Sequence, residues 1–259
     1  MTNTDLRPVA QDQPRAPQAL SSPDSWWTVR RAGVVAGVAL LVMVPLAVFA
    51  DFVVVKGMIT PGDAAATAAE IVAREGTFRL GVLAWLLVVV LDAVIAWALY
   101  RVFRPVSPAI SMLTAVFRLV YTAVLLVAVG QLLRALDVLT VGSAPAPGTA
   151  DVSQHALLEL NAFQHIYDLG LLLFGIHLAL LGYLSLRSDF IPKVVGALLV
   201  VAGAGYAFDT VGAVLGLELL PVSVFTSLGE LLLALWLLIG NRRLRAVDSG
   251  QVAEVHHAR

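Results

Sequence analysis

The chain has 259 residues, of which 59% are hydrophobic and only 14% are charged, well below the roughly 25% charged residues of an average soluble domain. Its formal net charge of −1 gives no reason to expect nucleic acid as a partner. Because the chain contains no cysteine, iron–sulfur clusters, zinc–thiolate sites and disulfides are excluded. The composition therefore predicts an integral membrane protein whose first partner is the lipid bilayer.

Six apolar stretches, each long enough to cross the ~30 Å hydrocarbon core of a bilayer, make up most of the chain. They predict transmembrane helices over residues 32–55, 78–100, 109–133, 163–186, 194–215 and 220–240. The predicted fold class is all-α, a polytopic membrane protein with six transmembrane helices in one domain over residues 30–241. Residues 1–29, rich in Pro, Gln, Ser and Asp, are expected to form a disordered tail, and residues 242–259 a C-terminal tail.

The orientation in the membrane follows from the basic residues that flank the six stretches. Nine lie on the side that both tails share: Arg30, Arg31, Arg101, Arg104, Arg187, Lys193, Arg242, Arg243 and Arg245. Four lie on the opposite side: Lys56, Arg74, Arg79 and Arg134. This excess predicts that both termini are cytoplasmic. The 15 arginines against 2 lysines are typical of a GC-rich bacterial genome, so the predicted location is a bacterial inner membrane.

Local signals predict several details of the helices. Pro45 removes a backbone donor inside the first stretch and is expected to kink that helix. Gly33 and Gly37 form a GxxxG pattern, which permits close helix packing. Asp63 is placed to cap a short surface helix in the first external loop. A further helix is expected from about Asp151, running straight into the fourth stretch.

Ionisable side chains inside apolar helices are costly in lipid, so they normally point inward and either pair or have a function. The candidate residues of an intramembrane polar pocket are Arg118, Glu230, Asp92, Asp209, Asp51, Asp168, His165, His177, Tyr121, Thr114 and Thr226. Four of them lie near the middle of their stretches: Asp92, Arg118, His177 and Glu230. The remaining acids lie in the outer third, so the predicted pocket opens outward and ends near Arg118.

Arg118 is the single charged residue of the third stretch, and Thr114 and Tyr121 share its helical face. We expect Asp92, at matching depth on the neighbouring helix, to neutralise its guanidinium, with Glu230 as the next candidate. Such a pair would be structural. Alternatively, Arg118 is an anion-binding point, because a guanidinium matches the geometry of carboxylate and phosphate groups.

Four side chains are weaker candidates for a metal site: His165, Asp168, Asp209 and Asp51. His165 and Asp168 share a helical face and could bind a metal, relay protons or form a hydrogen-bonded pair. A metal site requires all four to converge within about 5 Å of one point. Bis-histidine haem is not expected, since it needs ligands on facing helices and His155, His165 and His177 belong to one segment.

Short motifs in a fixed order along the chain carry a resemblance to a known family. They are Glu75-Gly76-Thr77-Phe78-Arg79-Leu80-Gly81, Phe117-Arg118-Leu119, Leu181-Gly182-Tyr183-Leu184, Ile191-Pro192, Gly205-Tyr206 and Glu230 with Leu235-Trp236-Leu237-Leu238. Over about residues 30–240 the chain resembles the bacterial membrane proteins grouped as domain of unknown function 4386. The resemblance implies a multi-span membrane protein, carries no activity, substrate or cofactor, and places Arg79, Arg118 and Glu230 inside family motifs.

Three functions are compatible with this pattern. The leading hypothesis is a transporter or sensor that handles a small molecule or ion, because five intramembrane acids face one arginine and this surplus favours a cation or protons. One alternative is a structural or partner-binding scaffold in which the polar groups fix helix register. The other alternative is a membrane-embedded metal-dependent hydrolase that uses the four weaker metal candidates.

Overall fold

The computed structural model describes residues 27–140, 149–217, 228–240, 243–244 and 247–248. Helices make up 89% of these residues, and no strand occurs among them. The helices are α1 (Val29–Met58), α2 (Ala64–Ala73), α3 (Glu75–Phe103), α4 (Pro108–Thr140), α5 (Thr149–Arg187), α6 (Lys193–Val214) and α7 (Leu228–Ile239). The all-α prediction is confirmed. Most of the predicted N-terminal tail, residues 1–26, lies outside the described residues.

Five of these helices are long and apolar enough to cross a membrane. They are α1, α3, α4, α6 and the Val152–Arg187 part of α5, and they coincide with the first five predicted stretches. Of the sixth predicted stretch, 220–240, the described part includes α7, which has 12 residues. The described helices therefore establish a multi-span architecture.

The helix boundaries follow local capping chemistry. The Thr28 hydroxyl accepts a hydrogen bond from the backbone N–H of Arg31 at 3.2 Å and caps α1. The Asp63 carboxylate accepts one from the backbone N–H of Ala66 at 2.8 Å and caps α2, as predicted. Helix α5 runs without a break from Thr149 into the fourth apolar stretch, which confirms the expected continuous helix.

Pro45 lies inside α1, and the helix changes type one turn beyond it. Residues Phe49–Val55 form a π-helical segment. Here the backbone N–H of Lys56 donates to the carbonyl oxygen of Asp51, five residues back. The wider turn also brings the Lys56 ammonium within 2.6 Å of the Asp51 carboxylate, although residues at this spacing do not face each other on a regular α-helix. Such segments are rare and often lie at functional sites.

Helices α5 and α6 pack backbone to backbone at two glycine pairs. A Cβ atom on Gly182 would lie 2.7 Å from the carbonyl oxygen of Gly196, and one on Gly175 would lie 2.7 Å from that of Gly203. Each distance is too short for a side chain. The pairs are two turns apart on each helix, so the absence of side chains allows close contact over about 10 Å of both helices.

The predicted GxxxG pattern of α1 makes a second close contact, with α7. A Cβ atom on Gly37 would lie 2.9 Å from the carbonyl oxygen of Ala234, and one on Gly33 would lie 3.7 Å from the Leu237 side chain. Because the residue number rises along α7 as it falls along α1, the two helices are antiparallel. This contact positions α7 in the bundle.

The first and last described parts of the chain meet at one face of the bundle. The Asp248 carboxylate accepts hydrogen bonds from the backbone N–H groups of Val29, at 2.8 Å, and Arg30, at 3.3 Å. Leu244 is buried against Gly33. We call this end of the bundle the terminal face and the opposite end, which carries α2, the loop face. Described residues of the predicted C-terminal tail therefore pack on the membrane domain.

Substituting Gly182 by alanine is expected to lower the melting temperature, because the added methyl group forces α5 away from α6 and overpacking typically costs about 1–3 kcal/mol. Gly130→Ala in α4 is the matched control. Its Cβ would meet no atom within 4 Å, so alanine should stabilise the helix by up to about 1 kcal/mol. Thermal unfolding in detergent measures both variants. Equal melting temperatures would contradict the close α5–α6 contact.

Candidate functional site

Four polar side chains from four helices meet at one level of the bundle. Asp92 in α3, Arg118 in α4, His177 in α5 and Glu230 in α7 each lie 9 to 11 residues from the helix end at the terminal face. At 1.5 Å per residue this distance is about 15 Å, half of a ~30 Å hydrocarbon core. We call these residues the Arg118 cluster. All four had been predicted near the middle of their helices.

Asp92 is the principal partner of Arg118. The Nε atom of Arg118 donates to Oδ1 of Asp92 at 2.8 Å, and Nη2 lies 2.6 Å from the same oxygen. The Arg118 side chain is 0% exposed and that of Asp92 is 2% exposed. The predicted Asp92–Arg118 pair is therefore present, and it is shielded from solvent.

The other N–H groups of Arg118 also have partners within the protein. Nη1 donates to Oε1 of Glu230 at 2.8 Å and lies 3.0 Å from Nε2 of His177, while Nη2 lies 4.0 Å from the sulfur of Met43 in α1. A guanidinium has five N–H groups, and these contacts account for all of them. Arg118 therefore has no free N–H donor for an anion, which the alternative prediction would require.

The hydrogen bonds of His177 define its protonation state. The Arg118 guanidinium can only donate, so Nε2 of His177 must accept. Nδ1 lies 2.9 Å from the carbonyl oxygen of Thr114, which can only accept, so Nδ1 carries the proton. His177 is thus a neutral imidazole in one tautomer. Thr114 acts through this carbonyl, because its hydroxyl donates to the carbonyl oxygen of Ile110 at 2.7 Å.

The Arg118 cluster has more acidic than basic groups. One guanidinium contacts two carboxyl groups, and neutral His177 adds no charge. With both carboxyls ionised, the cluster has one excess negative charge, which a proton or a bound cation would neutralise. Glu230 is the more exposed of the two acids, since 18% of its side chain is exposed against 2% for Asp92.

Aromatic rings cover the Arg118 cluster on the side of the loop face. The Phe174 ring lies 5.4 Å from the Arg118 guanidinium, and its centroid is 4.9 Å from that of Tyr121 and 5.4 Å from that of Tyr206. Tyr121 had been predicted as a pocket residue. Phe174, Tyr206 and Met43 had not been assigned to the site, because aromatic and methionine side chains are common throughout apolar helices.

Two of the other predicted acids have separate partners nearer the loop face. Asp51 forms an ion pair with Lys56. Asp168 accepts a hydrogen bond from the side chain of Gln164 at 2.8 Å. His165 is exposed, and the expected hydrogen bond between His165 and Asp168 is not formed. The predicted pocket residues therefore divide between two levels of the bundle.

The four weaker metal candidates do not form a metal site. Among the residues that the structure describes, no group of three or more His, Asp or Glu side chains is arranged to hold a metal ion. The convergence that a metal site at His165, Asp168, Asp209 and Asp51 would require is therefore absent. Thr226, the last predicted pocket residue, lies outside the described residues.

The chain is similar to known proteins over most of its membrane domain. The model of a family described as "Domain of unknown function (DUF4386)" matches residues 35–240. An uncharacterized protein from Archaeoglobus fulgidus is 37% identical over 163 residues, which covers 63% of this chain and 85% of the relative. No solved structure matches the chain. The family match includes all four residues of the Arg118 cluster.

Replacing Arg118 by glutamine is expected to cost about 3–5 kcal/mol of stability, because Asp92 and Glu230 lose their shared donor in the interior. Adding Asp92→Asn and Glu230→Gln to the same chain should recover part of this loss, since no buried carboxylate then lacks a partner. Equilibrium unfolding in detergent micelles measures the free energy of each variant.

Arg134→Gln is the matched control for this series. Arg134 pairs with Glu159 at 2.8 Å, but its side chain is 65% exposed, so its replacement should cost less than about 1 kcal/mol. A loss for Arg118→Gln that is as small as the loss for Arg134→Gln would contradict a buried ion pair at Arg118.

Proposed function

The chain belongs to the family described as "Domain of unknown function (DUF4386)", and we propose that it is an ion- or small-molecule-handling membrane protein whose exchangeable group is Glu230. In this proposal Asp92 and Arg118 form a permanent ion pair. Glu230 takes up a proton or a cation from a polar pocket that opens outward. Transport and ligand sensing are both forms of this function.

The observation that carries the proposal is the second carboxyl group beside one buried guanidinium. Among the residues that the structure describes, the titratable and charged groups near Glu230 include Arg118 from α4, Asp92 from α3, His177 from α5 and Tyr206 from α6. Among these groups only Arg118 is positive, and Asp92 already neutralises it. An ionised Glu230 therefore favours a cation beside it, and a neutral Glu230 requires a proton.

We propose six membrane crossings with both termini in the cytoplasm. Residues Val29 and Asp248 lie at the same face of the bundle, which supports an even number of crossings. Five helices are of membrane length, and α7 supplies part of a sixth. The nine basic residues on the side of the termini, against four on the other side, support a cytoplasmic terminal face.

A structural scaffold is the second candidate function, and the complete pairing of Arg118 supports it. A buried ion pair contacted from four helices can define helix register without binding anything. Glu230 would then keep its proton permanently. The metal-dependent hydrolase has no supporting cluster among the described residues.

Infrared titration of the purified protein separates these two candidates. If Glu230 exchanges a proton, the carbonyl stretch of a protonated carboxylic acid should change reversibly with pH. Glu230→Gln should remove that change, because an amide does not titrate. Sodium or potassium ions, if they compete for the same group, should lower the pH at which the band appears.

Glu75→Gln is the control for this titration, because it makes the same substitution in an exposed pair with Arg79. The titrating band should persist in this variant. A band that does not respond to pH in the wild type would favour the scaffold. A pH response that is unchanged in Glu230→Gln would exclude Glu230 as the exchangeable group.

Labelling of single introduced cysteines can report the topology, because the chain has no native cysteine that would also react. Thr60→Cys, in the loop before α2, should react with a membrane-impermeant maleimide in intact cells. Ser21→Cys and Ser249→Cys, in the two tails, should react only after the membrane is opened. The opposite pattern would invert the orientation, and different behaviour of the two tails would exclude six crossings.

A further inference from the structure

The Nη1 atom of Arg118 is shared between two acceptors of different character. It donates to Oε1 of Glu230 at 2.8 Å and lies 3.0 Å from Nε2 of His177, which accepts its second hydrogen. The Glu230 carboxyl group can gain or lose a proton, whereas His177 contacts Arg118 as a neutral imidazole. One of the two N–H groups of Nη1 therefore keeps its acceptor when Glu230 becomes neutral.

The His177 ring is held in place independently of Glu230. Its Nδ1–H donates to the carbonyl oxygen of Thr114 in α4 at 2.9 Å, and the residue is fully buried. The Phe174 ring of the same helix stacks against it, with the ring centroids 5.8 Å apart and an angle of 27° between the ring planes. A change at the Glu230 carboxylate therefore leaves these contacts of His177 intact.

The polar groups around Arg118 are engaged with the protein itself. Both ring nitrogens of His177 take part in hydrogen bonds, so neither has a lone pair left for a metal ion. The hydroxyls of Thr114 and Thr122 donate to the carbonyl oxygens of Ile110 and Arg118, each at 2.7 Å. A metal cation needs several oxygen or nitrogen ligands in place of its water. These hydrogen bonds therefore do not favour a metal cation beside Glu230.

The fixed charge of Arg118 also favours a proton over a metal cation at Glu230. A metal cation lies about 2.0–2.6 Å from a carboxylate oxygen that binds it, and Nη1 of Arg118 lies 2.8 Å from Oε1 of Glu230. A metal cation on that oxygen would thus lie within about 5 Å of the guanidinium, which would repel it. A proton instead becomes part of the carboxyl group and needs a single oxygen lone pair.

We infer that the species exchanged by Glu230 is a proton, and that His177 is the positioning residue that keeps the Arg118 guanidinium directed at Glu230 in both protonation states. The inference rests on the proposed function, in which the exchanged species is a proton or a cation. In the part of the chain that the structure describes, the titratable, charged and sulfur-containing groups near this site include Arg118 from α4, Asp92 from α3, His177 from α5, Tyr206 from α6 and Met43 from α1.

The exchange conserves atoms and charge. A hydronium ion gives its proton to an oxygen of the Glu230 carboxylate, so that an O–H bond forms and one water molecule remains. The carboxyl group is then neutral, the charges of Asp92 and Arg118 cancel, and His177 still accepts from Nη1. Release of the proton to water reverses the step, and no group is oxidised or reduced.

The infrared band of protonated Glu230 tests which species is exchanged. The band should appear at the same pH in the chloride salts of sodium, potassium, magnesium and N-methylglucamine at equal ionic strength, because no metal cation competes with the proton. A band that appears at lower pH with any of the three metal ions would overturn the inference and leave the proposed function intact. A wild type without any titrating band would overturn both.

Two substitutions of His177 test its positioning role. His177→Gln supplies an amide oxygen as a neutral acceptor for Nη1, so Glu230 should titrate as in the wild type. His177→Leu removes the acceptor, and the released N–H of Nη1 should turn to the ionised Glu230 carboxylate. The band should then appear about one pH unit lower, a tenfold change in proton affinity of the size expected for one hydrogen bond to a charged group.

His155→Leu is the matched control, because it makes the same substitution at a histidine whose side chain is 59% exposed. Glu230 should titrate in this variant as in the wild type. A merely structural role of His177 would alter the stability of its variants and leave the pH of the band unchanged in both, which would overturn the positioning role. Equal shifts in His177→Gln and His177→Leu would also overturn it.

Nitrogen NMR of the wild type with labelled histidine provides a second measurement, which is independent of whether His177→Leu folds. His177 should remain a neutral imidazole with its proton on Nδ1 throughout the pH range in which Glu230 titrates. An imidazolium, or a proton on Nε2, in that range would overturn the positioning role, because Nε2 could then no longer accept from Arg118.

Discussion

The fully buried guanidinium of Arg118 is the group on which the rest of the bundle depends. It is a permanent charge in a region where charges are costly, so the surrounding helices must supply acceptors for every N–H group. Asp92, Glu230 and His177 accept from three of these helices, and the Met43 sulfur of α1 lies 4.0 Å from Nη2. The relative rotation and depth of α3, α4, α5 and α7 are thereby constrained at a single point.

Small residues make this arrangement possible. The contact between Gly37 of α1 and the backbone of Ala234 brings α7 close to α1, and Glu230 lies one turn before Ala234 on α7. On the other side of the bundle, the glycine pairs of α5 and α6 allow these helices to touch along their backbones. In lipid, where apolar surface alone does not drive helices together, such close packing is a principal source of association.

The polar groups of the bundle form two levels with an aromatic layer between them. Asp51 and Asp168 lie near the loop face, where the π-helical segment of α1 pairs Asp51 with Lys56. The Arg118 cluster lies about 15 Å from the terminal face, and the rings of Phe174, Tyr121 and Tyr206 lie on its loop-face side. The proposed exchange at Glu230 concerns the deeper of these two levels. A structural scaffold would need only the Arg118 cluster to fix the register of its helices.

The sequence by itself determined the all-α class, the first five apolar helices, the cap at Asp63 and the common level of Asp92, Arg118, His177 and Glu230 along their helices. These features depend on hydropathy, local capping and a constant rise per residue, all of which are local along the chain. Only the tertiary structure decided that Arg118 has no free donor, that His165, Asp168, Asp209 and Asp51 do not converge, and that Phe174, Met43 and Tyr206 surround the site. Those outcomes depend on the rotation of each helix and on which helices are its neighbours. Hydropathy does not encode either, because all faces of an apolar helix have similar hydropathy.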